Sequence, residues 1–299
     1  MANIPTITTA GGRIPAFEVV EPDEPKIPFV FCSPHSGRDY PTDFLEATRL
    51  SGDSIRRSED LFVDQLFECV PALGAPLIRA RFPRAFLDVN REPYELDPQM
   101  FSGPLPDYVN IASVRVTGGL GTIPRIVAEN EAIYAKRLSV AEGIGRIETF
   151  YKPFHDLLEE RLRQTRARFG MAILIDCHSM PSSVRALPGG RRPDMVLGDR
   201  YGTSAGARLV TVATGRLARL GYDVARNKPY AGGYITERYG RPAIGQHALQ
   251  IEINRGLYAD ERSYRPHAGF PLLAERLATF VAGFAEDVDA DYALPAAAE

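Results

Sequence analysis

Short apolar runs alternating with amphipathic stretches set the pattern of this chain. Ile27 to Ser33 is a compact strand candidate that ends in Pro34-His35-Ser36-Gly37. From Ser54 to Val70, the residues Ile55, Phe62, Leu66 and Val70 recur at helical spacing, with Asp60 and Asp64 on another face, which predicts an amphipathic helix. Ala75 to Ala80 and Ala85 to Val89 read as short strands on either side of a Phe82-Pro83-Arg84 turn. A long helical region is expected from Pro124 to Phe169, split near Phe150 because Pro153 lacks a backbone donor. Met171 to Cys177 is apolar on both faces, as a central parallel strand requires. Met195 to Gly198 and Ala248 to Asn254 add two more strands. Thr203 to Leu220 reads as a helix capped by Gly221, and Phe270 to Val288 as a closing amphipathic helix.

Strands alternating with helices imply an α/β fold with a mostly parallel or mixed central sheet flanked by helices. No internal repeat or composition shift divides the chain, so one domain over residues 1–299 is expected. Within it, residues 1–25, rich in Pro, Thr and Gly, read as a surface arm or edge strand, and residues 290–299 as a frayed tail.

Three of the strands carry a chemically capable residue at or near their ends: His35, His178 and Glu252. Ligands of open α/β sheets bind beyond the carboxyl ends of the strands, so these residues are expected to share a cleft. Two histidines and a carboxylate suit a catalytic Zn2+ site, which takes three protein ligands and leaves a fourth position open; other divalent ions remain possible. Asp60 is the first choice for the third ligand, with Glu59 and Asp64 as the neighbours that could replace it. Glu252 is the candidate general base. Asp176 lies two residues before His178, hence on the same side of the strand, where it can orient the imidazole from behind. His247 is a reserve ligand, whereas His155 and His267 fall in an amphipathic helix and a Pro-containing loop. Each has a plainer reading: a hydrogen-bonded structural histidine, a solvated helix-surface aspartate, or a glutamate paired with Arg255.

Composition narrows the function classes. The net charge of -3 and pI near 6.0, with no dense basic run, argue against nucleic acid as a partner. Three cysteines without a CxxC pair fit a reducing compartment. The chain opens without a signal-peptide pattern and has no apolar run of the ~20 residues a membrane span needs, so a cytoplasmic location without membrane contact is expected. Cys177 and His178 face opposite ways as strand neighbours, and neither a GxSxG elbow nor a P-loop occurs.

Six ordered segments resemble the N-formylglutamate amidohydrolase (N-formylglutamate deformylase) family. They are Ser-Pro-His-Ser-Gly at 33–37, Glu-Asp-Leu-Phe-Val-Asp-Gln-Leu-Phe at 59–67 and Arg-Ala-Phe-Leu-Asp-Val-Asn-Arg at 84–91. The others are Asp-Cys-His-Ser-Met-Pro at 176–181, Gly-Gly-Tyr-Ile-Thr-Glu-Arg-Tyr-Gly at 232–240 and His-Ala-Leu-Gln-Ile-Glu-Ile-Asn-Arg at 247–255. The resemblance implies a zinc-exopeptidase-like fold and hydrolysis of N-formyl-L-glutamate to glutamate and formate, a step of histidine degradation. It also implies that His35, His178 and Asp60 hold the metal and that Glu252 sits where related enzymes keep their base. A dicarboxylate product calls for cationic clamps, for which Arg84, Arg91 and Arg185 are candidates. Asn90 would hold the substrate amide or the reacting oxygen, and Tyr234 and Thr236 would lie on a Gly-flanked loop closing over the site. Leu61-Phe62 stands where the family's histidine-pathway members carry Trp-His, which leaves a related N-acyl amino acid as substrate. A metallo-carboxypeptidase and a non-catalytic binder of acidic amino acids are the alternatives.

Overall fold

A computed structural model describes residues 4–50, 52–128, 131–187 and 190–292 of the chain. Its centre is a seven-stranded sheet. The strands are β1 (Phe17–Val20), β2 (Phe29–Ser33), β3 (Leu77–Ala80), β4 (Ala172–Met180), β5 (Met195–Gly198), β6 (Val224–Arg226) and β7 (Gln246–Asn254). They lie in the order β6-β5-β7-β4-β2-β3-β1. The four central strands, β7, β4, β2 and β3, run parallel. At the edges, β1 and the β5–β6 pair run the other way, which makes the sheet mixed.

Alternation along each central strand divides the core into two layers. Val30, Cys32, Leu174 and Ala248 point to one face. There they meet α2 (Val140–Arg146), α3 (Lys152–Phe169) and α5 (Tyr234–Tyr239) through Ile144, Phe154, Leu158 and Ile235. Phe29, Phe31, Ile173, Ile175, Cys177, Leu249 and Ile251 point to the other face. That face is covered by α1 (Val63–Leu66), α4 (Ala207–Arg219) and α6 (Gly269–Tyr292) through Leu66, Leu209, Leu217, Leu277 and Phe280. All nine residues of β4 are buried, as the two-sided apolar run predicts. The expected fold class is therefore the observed one.

Several elements differ from the sequence-based expectation. The helix expected over 54–70 is a 3-10 segment, Gly52–Ser58, followed by a break and the four-residue α1. The break has a tertiary cause: the Asp60 N–H donates to the His35 carbonyl at 3.0 Å rather than to its own helix, and Phe62 takes a φ of 55°. Residues 85–89 form turns, not a strand. Between Pro124 and Phe169 the helix starts only at Val140; before it lie short strand pieces such as Ile126–Ala128 and Leu138–Ser139, and residues 129–130 are outside the described set. Pro153 does not break the helix. A π-helical turn at Ile147–Tyr151 precedes it and absorbs the missing donor. The N-terminal arm folds as a hairpin, Thr6–Thr9 with Gly12–Pro15, and β1 is an edge strand. Of the tail expected over 290–299, residues 290–292 belong to α6, which continues to Tyr292, and residues 293–299 lie outside the described set.

His155 links α3 to the site's supporting loops. Its Nε2–H donates to the Val89 carbonyl at 2.9 Å, and its Nδ1 lies 2.9 Å from the Tyr239 hydroxyl, which donates to the His155 carbonyl at 3.1 Å. Burial lowers its pKa to about 3. An unfolded chain titrates this ring near ~6.5, so protons bind the unfolded state first as pH falls. The stabilisation is present above pH ~6.5 and is lost progressively toward pH ~3, at up to ~1.4 kcal/mol per pH unit. Urea unfolding between pH 7 and pH 5 should therefore show a shallower pH slope for His155→Gln than for the wild type; equal slopes would mean a charged ring in the fold.

Candidate metal centre and active-site cleft

The carboxyl ends of β2, β4 and β7 bring His35, His178 and Glu252 to one edge of the sheet. His178 lies directly opposite Glu252 in the β4–β7 register, and both point to the α3/α5 face by strand alternation. The loop after β2 is pressed against the segment after β3: a Cβ on Gly37 would stand 2.0 Å from the Phe82 carbonyl oxygen. That close approach, together with the Asp60 N–H bond to His35, sets the His35 ring between β4 and residues 60 and 88.

His35, Asp60 and His178 form a buried group whose ligand atoms lie within 4.8 Å of one another. The inner atoms are defined by what holds the outer ones. His35 Nε2 is 2.7 Å from Asp88 Oδ1, which leaves its buried Nδ1 without a hydrogen-bond partner and 3.5 Å from Asp60 Oδ2. His178 Nε2 stands 2.9 Å from Asp176 Oδ1, while its Nδ1 is 2.8 Å from the same Asp60 Oδ2. Arg255 and Ser179 engage the other oxygen, Oδ1, at 3.2 and 3.4 Å. His35 thus has a carboxylate bonded behind it and an inward Nδ1, the arrangement of a histidine metal ligand, while behind the inward Nδ1 of His178 lie the Asp176 carboxylate and, at 3.0 Å from Nε2, the Asn90 amide.

The electrostatics favour a cation. Burial works against charge on Asp60, yet the hydrogen bond from His178 and the nearness of His35 outweigh it and hold the carboxyl well below its usual range. Burial likewise opposes charge on His178, but Asp176 and Asp60 raise its pKa well above the ordinary value. Asp88 also stays ionised against burial, through Arg84 and Arg91. A pocket that keeps a proton between two such groups suits a divalent ion in its place. Glu252 behaves differently: burial foremost, then Asp60 and Asp176, pushes its pKa up to about 7 against the pull of His178.

These groups face a cleft of about 480 Å³. Five arginines, Arg57, Arg84, Arg91, Arg115 and Arg255, line it together with Asn90, Gln250 and Tyr230. The family model for N-formylglutamate amidohydrolase matches residues 27–259. The chain belongs to that family. A crystal structure of N-formylglutamate amidohydrolase from Ralstonia eutropha JMP134 is 36% identical, covers 93% of this chain and 100% of that one, and superposes with a TM-score of 0.87. N-formylglutamate deformylase from Pseudomonas putida is 30% identical over 79% of this chain and 83% of its own. The protein of the same name from Pseudomonas aeruginosa is 29% identical over 82% and 87%, respectively.

Within this family member the expected residues divide. His35, Asp60, His178, Glu252, Arg84, Asn90 and Arg91 line the cleft, and Asp176 lies behind His178. Glu59 and Asp64, the alternatives to Asp60, are engaged elsewhere, by Tyr40 and Arg56 and by Arg38. His247 is at the far end of β7, five residues or roughly 16 Å of strand from Glu252, and accepts from the Gly206 N–H. Arg185 is exposed and outside the cleft lining. Tyr234 and Thr236 are not on a loop over the site: they belong to α5, where Thr236 is fully buried and its hydroxyl bonds the Gly233 carbonyl. The helix forms there because Asn90 Oδ1 and Gln250 Oε1 receive the Ile235 and Gly233 N–H groups. Glu252 does not pair with Arg255, which turns to Asp60 and Ser179 instead.

Asp88, Arg255, Gln250, Arg57 and Arg115 were not singled out from sequence as site residues. Asp88 carried a usable signal, an acid between Leu87 and Val89 in an arginine-flanked stretch. Arg57 and Arg115 carried none, since exposed arginines abound. If the outer carboxylates orient the histidines, Asp88→Asn and Asp176→Asn should each weaken divalent-ion binding by ~10–100-fold. Titration of the metal-free protein with zinc checks this, and wild-type affinity in both variants would remove their role.

Proposed function

We propose that this chain is a single-ion metallohydrolase that removes the formyl group of N-formyl-L-glutamate, or the acyl group of a close N-acyl amino acid. The observation that carries the reading is the buried His35–Asp60–His178 group with Glu252 beside it in an arginine-lined cleft. The names of the related proteins supply the substrate. His35 Nδ1, Asp60 Oδ2 and His178 Nδ1 would hold the ion, and Zn2+ suits two nitrogens and one carboxylate oxygen with an open position. When bound, the ion supplies Lewis acidity to the substrate carbonyl and to the attacking water.

The chain's own residues do the rest. Glu252, with a pKa near 7, is placed to accept a proton from water at neutral pH and to return it to the departing amine. Asp88 and Asp176 hold the imidazoles with Nδ1 inward. Arg84 and Arg91 are committed largely to Asp88 and to backbone carbonyls, so their first task is to keep Asp88 charged. Arg115 is 3.8 Å from Glu95 and 35% exposed, which leaves its guanidinium the better placed for a substrate carboxylate. Arg57, at the mouth, is paired with Glu131. The role in histidine degradation belongs to the same proposal, and so does a location in the cytoplasm. Among the described residues, no helix is long and apolar enough to cross a membrane.

The deciding experiment measures formate and glutamate release from N-formyl-L-glutamate, with N-acetyl-L-glutamate and a peptide ending in glutamate as comparison substrates. Activity should vanish on chelation and return with zinc, and Glu252→Gln should lose ~10²–10⁴-fold in kcat. Arg115→Ala should chiefly raise KM. Preferred cleavage of the peptide would make the chain a carboxypeptidase, and tight binding without turnover of any of these would make it a binder.

A further inference from the structure

Glu252 reaches the cleft from a strand, and its carboxylate turns about a soft terminal torsion with broad, roughly two-fold preferences. Something must choose its rotation. Gln250 lies two residues earlier on β7, on the same face, with its Cα opposite Asp176. Its Nε2 donates to Glu252 Oε1 at 2.8 Å, and its Oε1 accepts the Gly233 N–H at 2.8 Å. A backbone N–H can only donate, so Gly233 dictates which end of the amide faces Glu252. Among the described residues, this is the hydrogen bond shown to the Glu252 carboxylate.

Asn90 repeats the device. Its Oδ1 accepts the Ile235 N–H at 2.7 Å, and its Nδ2 donates to Asp176 Oδ2 at 3.1 Å. A Cβ on Gly233 would fall 2.6 Å from the Asn90 amide, so the glycine is what lets that amide lie against the start of α5. The far side of this stretch is fixed as well, by Arg200 N–H to the Ala231 carbonyl at 2.7 Å.

We propose that Gln250 is a positioning residue that sets the Glu252 carboxylate by tying it to the start of α5. The inference rests on the reading of Glu252 as the base. It binds one carboxylate oxygen and thereby presents the other to the cleft.

The test uses zinc-loaded Gln250→Met and Gln250→Asn beside the wild type and Glu252→Gln, with the N-acyl amino acid that the wild type turns over fastest. Gln250→Met removes both hydrogen bonds. Gln250→Asn keeps a neutral amide that can take the Gly233 N–H but is one methylene too short to reach Glu252 as well. Both variants should lose ~10–100-fold in kcat, with KM within ~3-fold and unchanged zinc content, and Gln250→Met should also unfold at a lower midpoint because the Gly233 N–H is left unpaired. Retention of wild-type kcat by either variant would overturn the proposal, since Gln250 would then serve only the α5 wall. A raised KM with kcat intact would also overturn it, by making Gln250 a substrate-binding group. Full activity in Glu252→Gln would instead refute the base assignment, whatever the Gln250 variants show.

Discussion

Charge compensation in a nearly dry pocket is the constraint on which this structure turns. Asp60, Asp88 and Asp176 are each buried to 2% exposure or less, beside two buried imidazoles. An isolated buried carboxylate is very costly, so each of the three has a partner on a neighbouring segment, although His35 Nδ1 and Asp176 Oδ1 are left without hydrogen bonds. Arg84 anchors Asp88, Asn90 anchors Asp176, and Arg255 with Ser179 anchors Asp60.

The same constraint explains where local preference yields. The periodic stretch from Ser54 to Val70 has the apolar spacing of a helix, but a helix-surface Asp60 could not reach the imidazoles. Breaking the helix at Asp60 and Phe62 sacrifices a few helical hydrogen bonds. The chain recovers them through Asp60 N–H to His35, Asp64 N–H to Ser36 and the buried Asp60 carboxylate itself. The irregular stretch after β3 likewise gives up strand structure so that residues 84 to 91 wrap the site.

What links this cluster to the cleft is a second tier of neutral amides. Asn90 and Gln250 each take one N–H from the start of α5 and pass a donor to one carboxylate. Because neutral amides carry no net charge, they orient Asp176 and Glu252 without disturbing the balance of ions around the histidines. The position of α5 and the orientation of two acids are thereby one structural fact.

The sequence by itself determined the central strands, the α/β class and the residues that those strands deliver to one edge. Burial on both faces gives β2, β4 and β7 apolar stretches such as Phe29–Cys32, Ala172–Ile175 and Ala248–Leu249, and His35, His178 and Glu252 stand out beyond them. Nearness to His35 along the chain makes Asp60 the first choice and resemblance raises it above Glu59, although a helical reading treats Glu59, Asp60 and Asp64 alike as surface acids. Only the tertiary structure decided that Asp60 turns inward, that Asp88 backs His35, and that Arg255 serves Asp60 rather than Glu252. It also decided that Arg185 stays outside while Arg57 and Arg115 line the cleft. The reason is physical: strand periodicity is a local property of the chain, whereas the partner of a buried charge is selected by whatever long-range packing brings within hydrogen-bond reach.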